Sequence, residues 1–109
     1  MQQFAFLYRP TQLLDEDALA RRSVAIREWV LPLREQGVVL CVCVFDDAAA
    51  AVPPPDGHVL PDTGLAGVTI VQADDLHAAQ ALARQFPGRE FGAHVEVRPL
   101  ARFLLPGNS

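Results

Sequence analysis

The stretch LAGVTIVQADDLHAAQALARQFPGREFGAHVEVRPL, residues 65–100, decides the fold because it contains a strand, a helix and a second strand together with their boundary signals. The acidic pair at 74–75 supplies a helix N-cap, and the Pro-Gly pair at 87–88 ends the helix. Residues 93–100 alternate between apolar and polar types, which predicts a strand with two different faces. The predicted buried stripe of the helix is Leu76, Ala79, Leu82 or Ala83, and Phe86.

The first part of the chain predicts another strand followed by another helix. Residues 3–9 are rich in aromatic types and apolar on both sides, as expected of a central strand. An acidic opening at 15–17 begins a helix that extends toward Gly37, although Pro32 predicts a bent last turn or an end near Leu31. The apolar positions that recur at helical spacing are Leu19, Ile26, Trp29, Val30 and Leu33.

Residues 38–45 are eight consecutive apolar residues, which predicts a strand buried on both faces. Cys41 and Cys43 lie two apart within it. Neighbours on one face of a strand are poorly placed to bond each other, and the chain has no further cysteine to complete a metal set. We therefore expect both thiols to be small buried hydrophobic groups in a reducing compartment, and a thiol site is the alternative.

The remaining segments predict connections within a single domain, residues 1–109. Residues 46–64 are rich in alanine and proline and predict a loop, with room for a short strand around residues 58–60. Residues 101–109 form a C-terminal extension, whose apolar Phe103 and its neighbours predict contact with a partner or with the core of the same chain.

The order strand, helix, strand, strand, helix, strand predicts an α+β fold of the ferredoxin-like split βαβ type. Both helices then cover one face of an antiparallel sheet, and the other face stays open. Because several strands are apolar on both sides, something must also cover that open face. Burying about 400 Å² per subunit at about 25 cal/mol/Å² contributes on the order of 10 kcal/mol before association costs, which favours a homodimer.

Composition excludes several classes of function. The formal net charge is −4, and the nine basic residues, all arginines, are spread along the chain, so nucleic acid is not an expected partner. No run approaches the roughly 18–20 apolar residues of a membrane span, and the N-terminus lacks signal-peptide features. The expectation is a cytoplasmic protein without a membrane partner.

The pattern LAGVTIVQADDLHAAQALARQFP followed by VEVRP resembles the YCII-related proteins, in particular their DGPF-type branch. The resemblance covers most of the chain, including the FAFLYRP strand and the end of the first helix. It implies a dimeric α+β barrel built from ferredoxin-like units, with a pocket between the sheet and the loops. It implies no single established reaction.

Two departures from the family pattern bear on function. Where the branch has Asp-Gly-Pro-Phe, this chain has Asp56-Gly57-His58-Val59, so the turn is kept and the Pro-Phe half is lost. Other family members are thought to pair a histidine of the first helix with an aspartate. Residues 15–36 contain no histidine, so that pair has no counterpart here.

His94, Glu96 and Arg98 share the polar face of the last strand and form the first candidate site. A carboxylate close to an imidazole and a guanidinium can orient a base or hold an anionic ligand. The alternative is an ion pair between Glu96 and Arg98 in a dimer interface. Arg9 and Tyr8, at the end of the first strand, are further candidates for ligand binding.

His58 beside Asp56 is the second candidate, because a loop histidine can reach over a pocket and an adjacent acid raises its proton affinity. A solvent-exposed loop histidine is the alternative. The sequence has no Gly-rich phosphate loop, nucleophile elbow or metal-spaced ligand set, so no metal and no cofactor are expected.

Two functions remain open from the sequence. The first is a dimeric module that binds a small metabolite or a partner in a pocket on the open sheet face. The alternative is a cofactor-free acid–base enzyme that acts on a small carboxylate or lactone, with His94 or His58 as the base and Arg98 holding an oxyanion.

Overall fold

Two strand–helix–strand units follow each other along the chain in a computed structural model that describes residues 1–46, 50–58 and 64–102. The first unit consists of β1 (Gln2–Pro10), α1 (Glu16–Glu35) and β2 (Val39–Val44). The second consists of β3 (Gly67–Ala73), α2 (Leu76–Arg84), a short 3₁₀ helix (Pro87–Phe91) and β4 (Ala93–Pro99). This order confirms the α+β, ferredoxin-like prediction.

The four strands form one antiparallel sheet in the order β2-β3-β1-β4. β1 pairs with β3 on one side and with β4 on the other, which confirms it as a central strand. β2 and β4 are the edge strands. The connection through each helix skips one position in the sheet, which is the split βαβ arrangement.

The core lies on one face of this sheet because alternate residues of each strand point the same way. Phe4, Phe6 and Val71 are fully buried on that face. The buried residues that α1 and α2 pack against them are Val30, Ala79 and Ala83. Both helices therefore cover the same face, as predicted.

Helix α1 begins at the N-cap Asp15, whose carboxylate accepts a hydrogen bond from the Ala18 backbone N–H at 2.8 Å. The expected end near Leu31 is wrong, since the helix continues through Pro32 to Glu35. Pro32 lies on the exposed side of the last turn, where the carbonyl that loses its donor can bind water. Leu19, expected in the buried stripe, is 39 % exposed.

Helix α2 begins at the N-cap Asp75, one of the two predicted residues, and ends at Arg84, before the predicted Pro-Gly stop. Phe86 is buried as predicted but lies beyond the helix, whereas Leu76 is exposed. The 3₁₀ helix then uses the fixed φ of Pro87 at its start. It ends at Gly92, whose φ of +88° favours glycine.

Strand β2 is not buried on both faces in the single chain, and that expectation is wrong. It is an edge strand, and Val44 near its end is 82 % exposed. Cys41 is half-buried and Cys43 is exposed, so the thiols are not core groups here. An apolar run therefore identified the strand but not its place in the sheet.

Several predicted features lie outside the described residues, namely most of the expected short strand near residue 58 and Phe103 in the C-terminal extension. His58 itself is described and is not in a strand. Within the loop, residues 55–56 form a turn.

Candidate functional site

The sheet face that the helices leave open has an apolar centre with a polar group at the β4 edge. Strand pairing aligns Ile70 with Ala5 and Cys41, and it aligns Val68 with Leu7. These positions alternate with the core residues Phe4 and Phe6, so they point away from the helices. The apolar residues of this open face are Ala5, Leu7, Cys41, Cys43, Val68 and Ile70.

Glu96 holds two arginines on the open face. Its Oε1 accepts a hydrogen bond from Arg9 Nη1 at 2.9 Å, and its Oε2 accepts one from Arg98 Nη1 at 3.0 Å. Arg9 is the less exposed of the two guanidiniums, at 28 % against 67 % for Arg98. One carboxylate between two guanidiniums leaves a net charge of +1, which can attract an anion.

The predicted pairing of Glu96 with Arg98 is thus present within one chain, and it includes Arg9 as well. Strand pairing aligns Arg9 with His94, which brings four predicted site residues together on one face. The His94 side chain is exposed, and its imidazole has no hydrogen-bond partner among the described residues. No described residue therefore orients His94 as a base.

Tyr8 lies on the other face of the sheet, so it is not brought together with Arg9. Its ring stacks on Phe86 with centroids 4.2 Å apart, and its hydroxyl donates a hydrogen bond to the Thr69 hydroxyl. Trp29 meets Phe86 edge-on at 5.5 Å. Tyr8 belongs to an aromatic cluster beneath the helices, and its predicted ligand role stays untested.

Burial raises the pKa of Tyr8 to about 12 from its ordinary value of 10.0, partly offset by the hydrogen bond to Thr69. Since the neutral form is favoured in the folded state, stability is fully present below pH 10 and is lost as the pH rises toward 12. We expect the free energy of unfolding to fall by about 2–3 kcal/mol across that window.

The absorbance of tyrosinate follows the ionisation of Tyr8 directly, because Tyr8 is the chain's one tyrosine. The folded protein should titrate near pH 12, and the denatured chain near pH 10. A Tyr8→Phe variant should lose the drop in stability over this window. A folded-state titration at the denatured value would contradict the buried position.

The second candidate, His58 with Asp56, is an exposed turn. The Asp56 carboxylate accepts a hydrogen bond at 2.9 Å from the backbone N–H of His58 and not from its imidazole. This contact is an Asx-type turn, which stabilises the loop locally. In the described part of the chain, no contact brings either residue to the open face.

A cleft of about 610 Å³ at the outer edge of β4 is a feature that the sequence did not predict. Arg84 from α2 and Arg89 from the 3₁₀ helix line it together with His94. Arg89 Nη1 donates a hydrogen bond to the Arg84 carbonyl at 2.7 Å. Basic side chains near a helix C-terminus interact favourably with the negative end of the helix dipole. We therefore assign these arginines to stabilisation of the C-terminal end of α2.

Among the described residues, no three or more His, Cys, Asp or Glu side chains come together as a metal-ligand set. None of the helices in the described ranges combines the length and apolar character that crossing a membrane requires.

The family model described as the YCII-related domain matches residues 3–103, which is nearly the whole chain. The chain therefore belongs to the YCII-related domain family, as its sequence pattern suggested. No curated protein matches it.

Proposed function

We propose that this chain forms a homodimer through its open sheet face and that the dimer binds a small carboxylate-bearing metabolite beside Arg9 and Arg98. The observation that carries the proposal is the position of a net positive cluster at the border of an apolar sheet face. The apolar part supports packing of a second copy, and the charged part supports ligand recognition.

The apolar centre of the open face supports association. Leu7, Val68 and Ile70 are only partly covered within one chain, although they lie on its central strands. An antiparallel sheet with one face on the core normally has a solvated polar second face. Apolar side chains on the second face favour a protein partner, and two copies can pair the same patch around a two-fold axis.

The arginine cluster supports a carboxylate ligand. Glu96 accepts a hydrogen bond from one nitrogen of each guanidinium, and no described residue accepts one from the remaining N–H groups of Arg9 and Arg98, which can therefore donate to a ligand. The planar donor fork of arginine matches a carboxylate. When a second sheet covers the open face, the excluded water strengthens that charge-assisted contact.

Binding of small acids to single-arginine variants tests the ligand. The probes are acetate, lactate, succinate and benzoate, with succinamide and benzamide as neutral counterparts, detected by ligand-observed NMR. We expect Arg9→Gln and Arg98→Gln each to weaken binding of the acids by about tenfold to 100-fold, since a hydrogen bond to a charged group contributes about 1.5–3 kcal/mol.

Arg27→Gln is the matched control because Arg27 is an exposed arginine of α1, on the helix side of the sheet. It should leave binding unchanged. Equal binding of the acids and the amides would contradict a carboxylate site, and so would equal losses in all three variants.

An acid–base enzyme is the second candidate, favoured by the alignment of His94 with Arg9 on the open face. In that case Arg9 or Arg98 stabilises an enolate or carboxylate oxygen, and His94 moves the proton. Turnover of small acids or lactones that is lost in His94→Ala supports catalysis. Acid binding without turnover, retained in His94→Ala, supports the binding module.

A further inference from the structure

The thiols of Cys41 and Cys43 lie together on the open face of the edge strand β2. Their sulfur atoms are 3.7 Å apart, and Cys43 is exposed to solvent. Cys41 aligns with Ile70 of β3 and Cys43 aligns with Val68, so both side chains point to the same side. They are the chain's two cysteines, and they form a pair rather than two isolated groups.

This separation matches two corners of a tetrahedral metal site. With metal–sulfur bonds of about 2.3 Å, two thiolates of a tetrahedral Zn²⁺ site lie about 3.8 Å apart. The observed distance of 3.7 Å therefore needs almost no adjustment. Thiolates are ligands that zinc and other thiophilic ions prefer.

The same geometry disfavours a disulfide between the two residues. Alternate residues of a strand have Cα atoms about 6.7 Å apart, at the upper limit for a disulfide, and the sulfurs would have to approach to about 2.05 Å. A metal ion bridges the two sulfurs at their present distance, whereas a disulfide requires the strand to distort. The pair is thus arranged for an ion more than for oxidation.

The location of the two thiols at an edge of the sheet, with Cys43 exposed, also leaves them accessible to an ion from solvent. The pair lies on edge strand β2, about 10 Å across the sheet from Arg9 on β1 and about 14 Å from Arg98 on β4, given about 4.8 Å between neighbouring strands. The hydrogen bond with Cys43 raises the pKa of the Cys41 thiol, as do burial and the charge of Cys43. Protons therefore compete with a cation for the Cys41 sulfur, and a cation that binds there must displace the proton.

We propose that Cys41 and Cys43 form a two-thiolate site for a thiophilic divalent cation such as Zn²⁺, distinct from the proposed carboxylate site. Binding forms two metal–sulfur bonds and releases the two thiol protons to solvent, so affinity rises with pH. The two remaining tetrahedral positions are open to water or to ligands from a second copy.

The experiment titrates the reduced full-length protein with Cd²⁺, followed by sulfur-to-metal charge-transfer absorbance, and with Zn²⁺ in competition with a chromophoric chelator. Cys41→Ser and Cys43→Ser should each weaken binding by about 10²-fold or more, because the second thiolate on the same strand binds as an intramolecular ligand. A stoichiometry of one ion per chain, or one per two chains with every thiol required, supports the site.

The decisive control is the double variant Val42→Cys/Cys43→Ser, which keeps two thiols but places them on opposite faces of β2. Val42 is already 37 % exposed, so we expect the variant to fold, and circular dichroism checks this. The double variant should bind no better than either single serine variant. Binding as tight as in the wild-type protein, no loss in the serine variants, or a wild-type pair that oxidises readily to an intramolecular disulfide would overturn the proposal.

Discussion

In the Ile70→Asp variant we expect the proposed dimer to dissociate into single folded chains. Ile70 lies at the centre of the open face, between Ala5 and Cys41 in neighbouring strands. An aspartate there is solvated in a single chain but must be dehydrated when a second sheet covers it. That dehydration costs several kcal/mol per ion, and two-fold symmetry places two such charges in one interface.

Val24→Asp is the matched control for this prediction. Val24 is an apolar β-branched residue of α1 and is 56 % exposed on the helix side. Its replacement introduces the same charge without touching the open face, so the oligomeric state should not change. Light scattering and circular dichroism on both variants separate dissociation from unfolding. An Ile70→Asp protein that stays dimeric and folded would place the interface elsewhere.

The Phe6→Ala variant should lose about 3–5 kcal/mol of the free energy of unfolding, the range for removing a large aromatic side chain from a close-packed core. Phe6 is fully buried on the central strand, aligned with Thr69 on one side and Val97 on the other. A close-packed core relaxes only in part around such a deletion, so a cavity remains beneath the helices. Phe6→Leu should cost less because it keeps most of the volume.

Urea unfolding at one fixed chain concentration measures these losses, since the proposed dimer would make apparent stability depend on chain concentration. Phe45→Ala is the control, because Phe45 follows β2 and is 44 % exposed. Its loss should be about 1 kcal/mol or less. Equal losses at the two phenylalanines would show that the core is not centred on Phe6.

The elements of the fold were predictable from sequence because local signals specify them. Asp75 is the N-cap of α2, as the sequence predicted. The alternation in β4 correctly predicted that Val95 and Val97 point to one face of the sheet and the polar residues to the other. Errors arose where tertiary position decides the outcome. Pro32 is accommodated in the last turn of α1, and the apolar run of β2 lies at a sheet edge.

The candidate site was predictable only in part. The period of two placed His94, Glu96 and Arg98 together, but the contact from Arg9 depends on the pairing of β1 with β4, which are distant in sequence. The same period, applied to β1, places Tyr8 and Arg9 on opposite faces of the sheet. The sequence alone therefore predicts that these two residues do not share a site.

The mass of the wild-type protein in solution tests the central claim most directly. Light scattering coupled to size-exclusion chromatography at micromolar concentration should give twice the chain mass of 11.9 kDa. The proposed binding site requires a second sheet over the open face. A stable species of 11.9 kDa under these conditions would contradict that requirement and the function built on it.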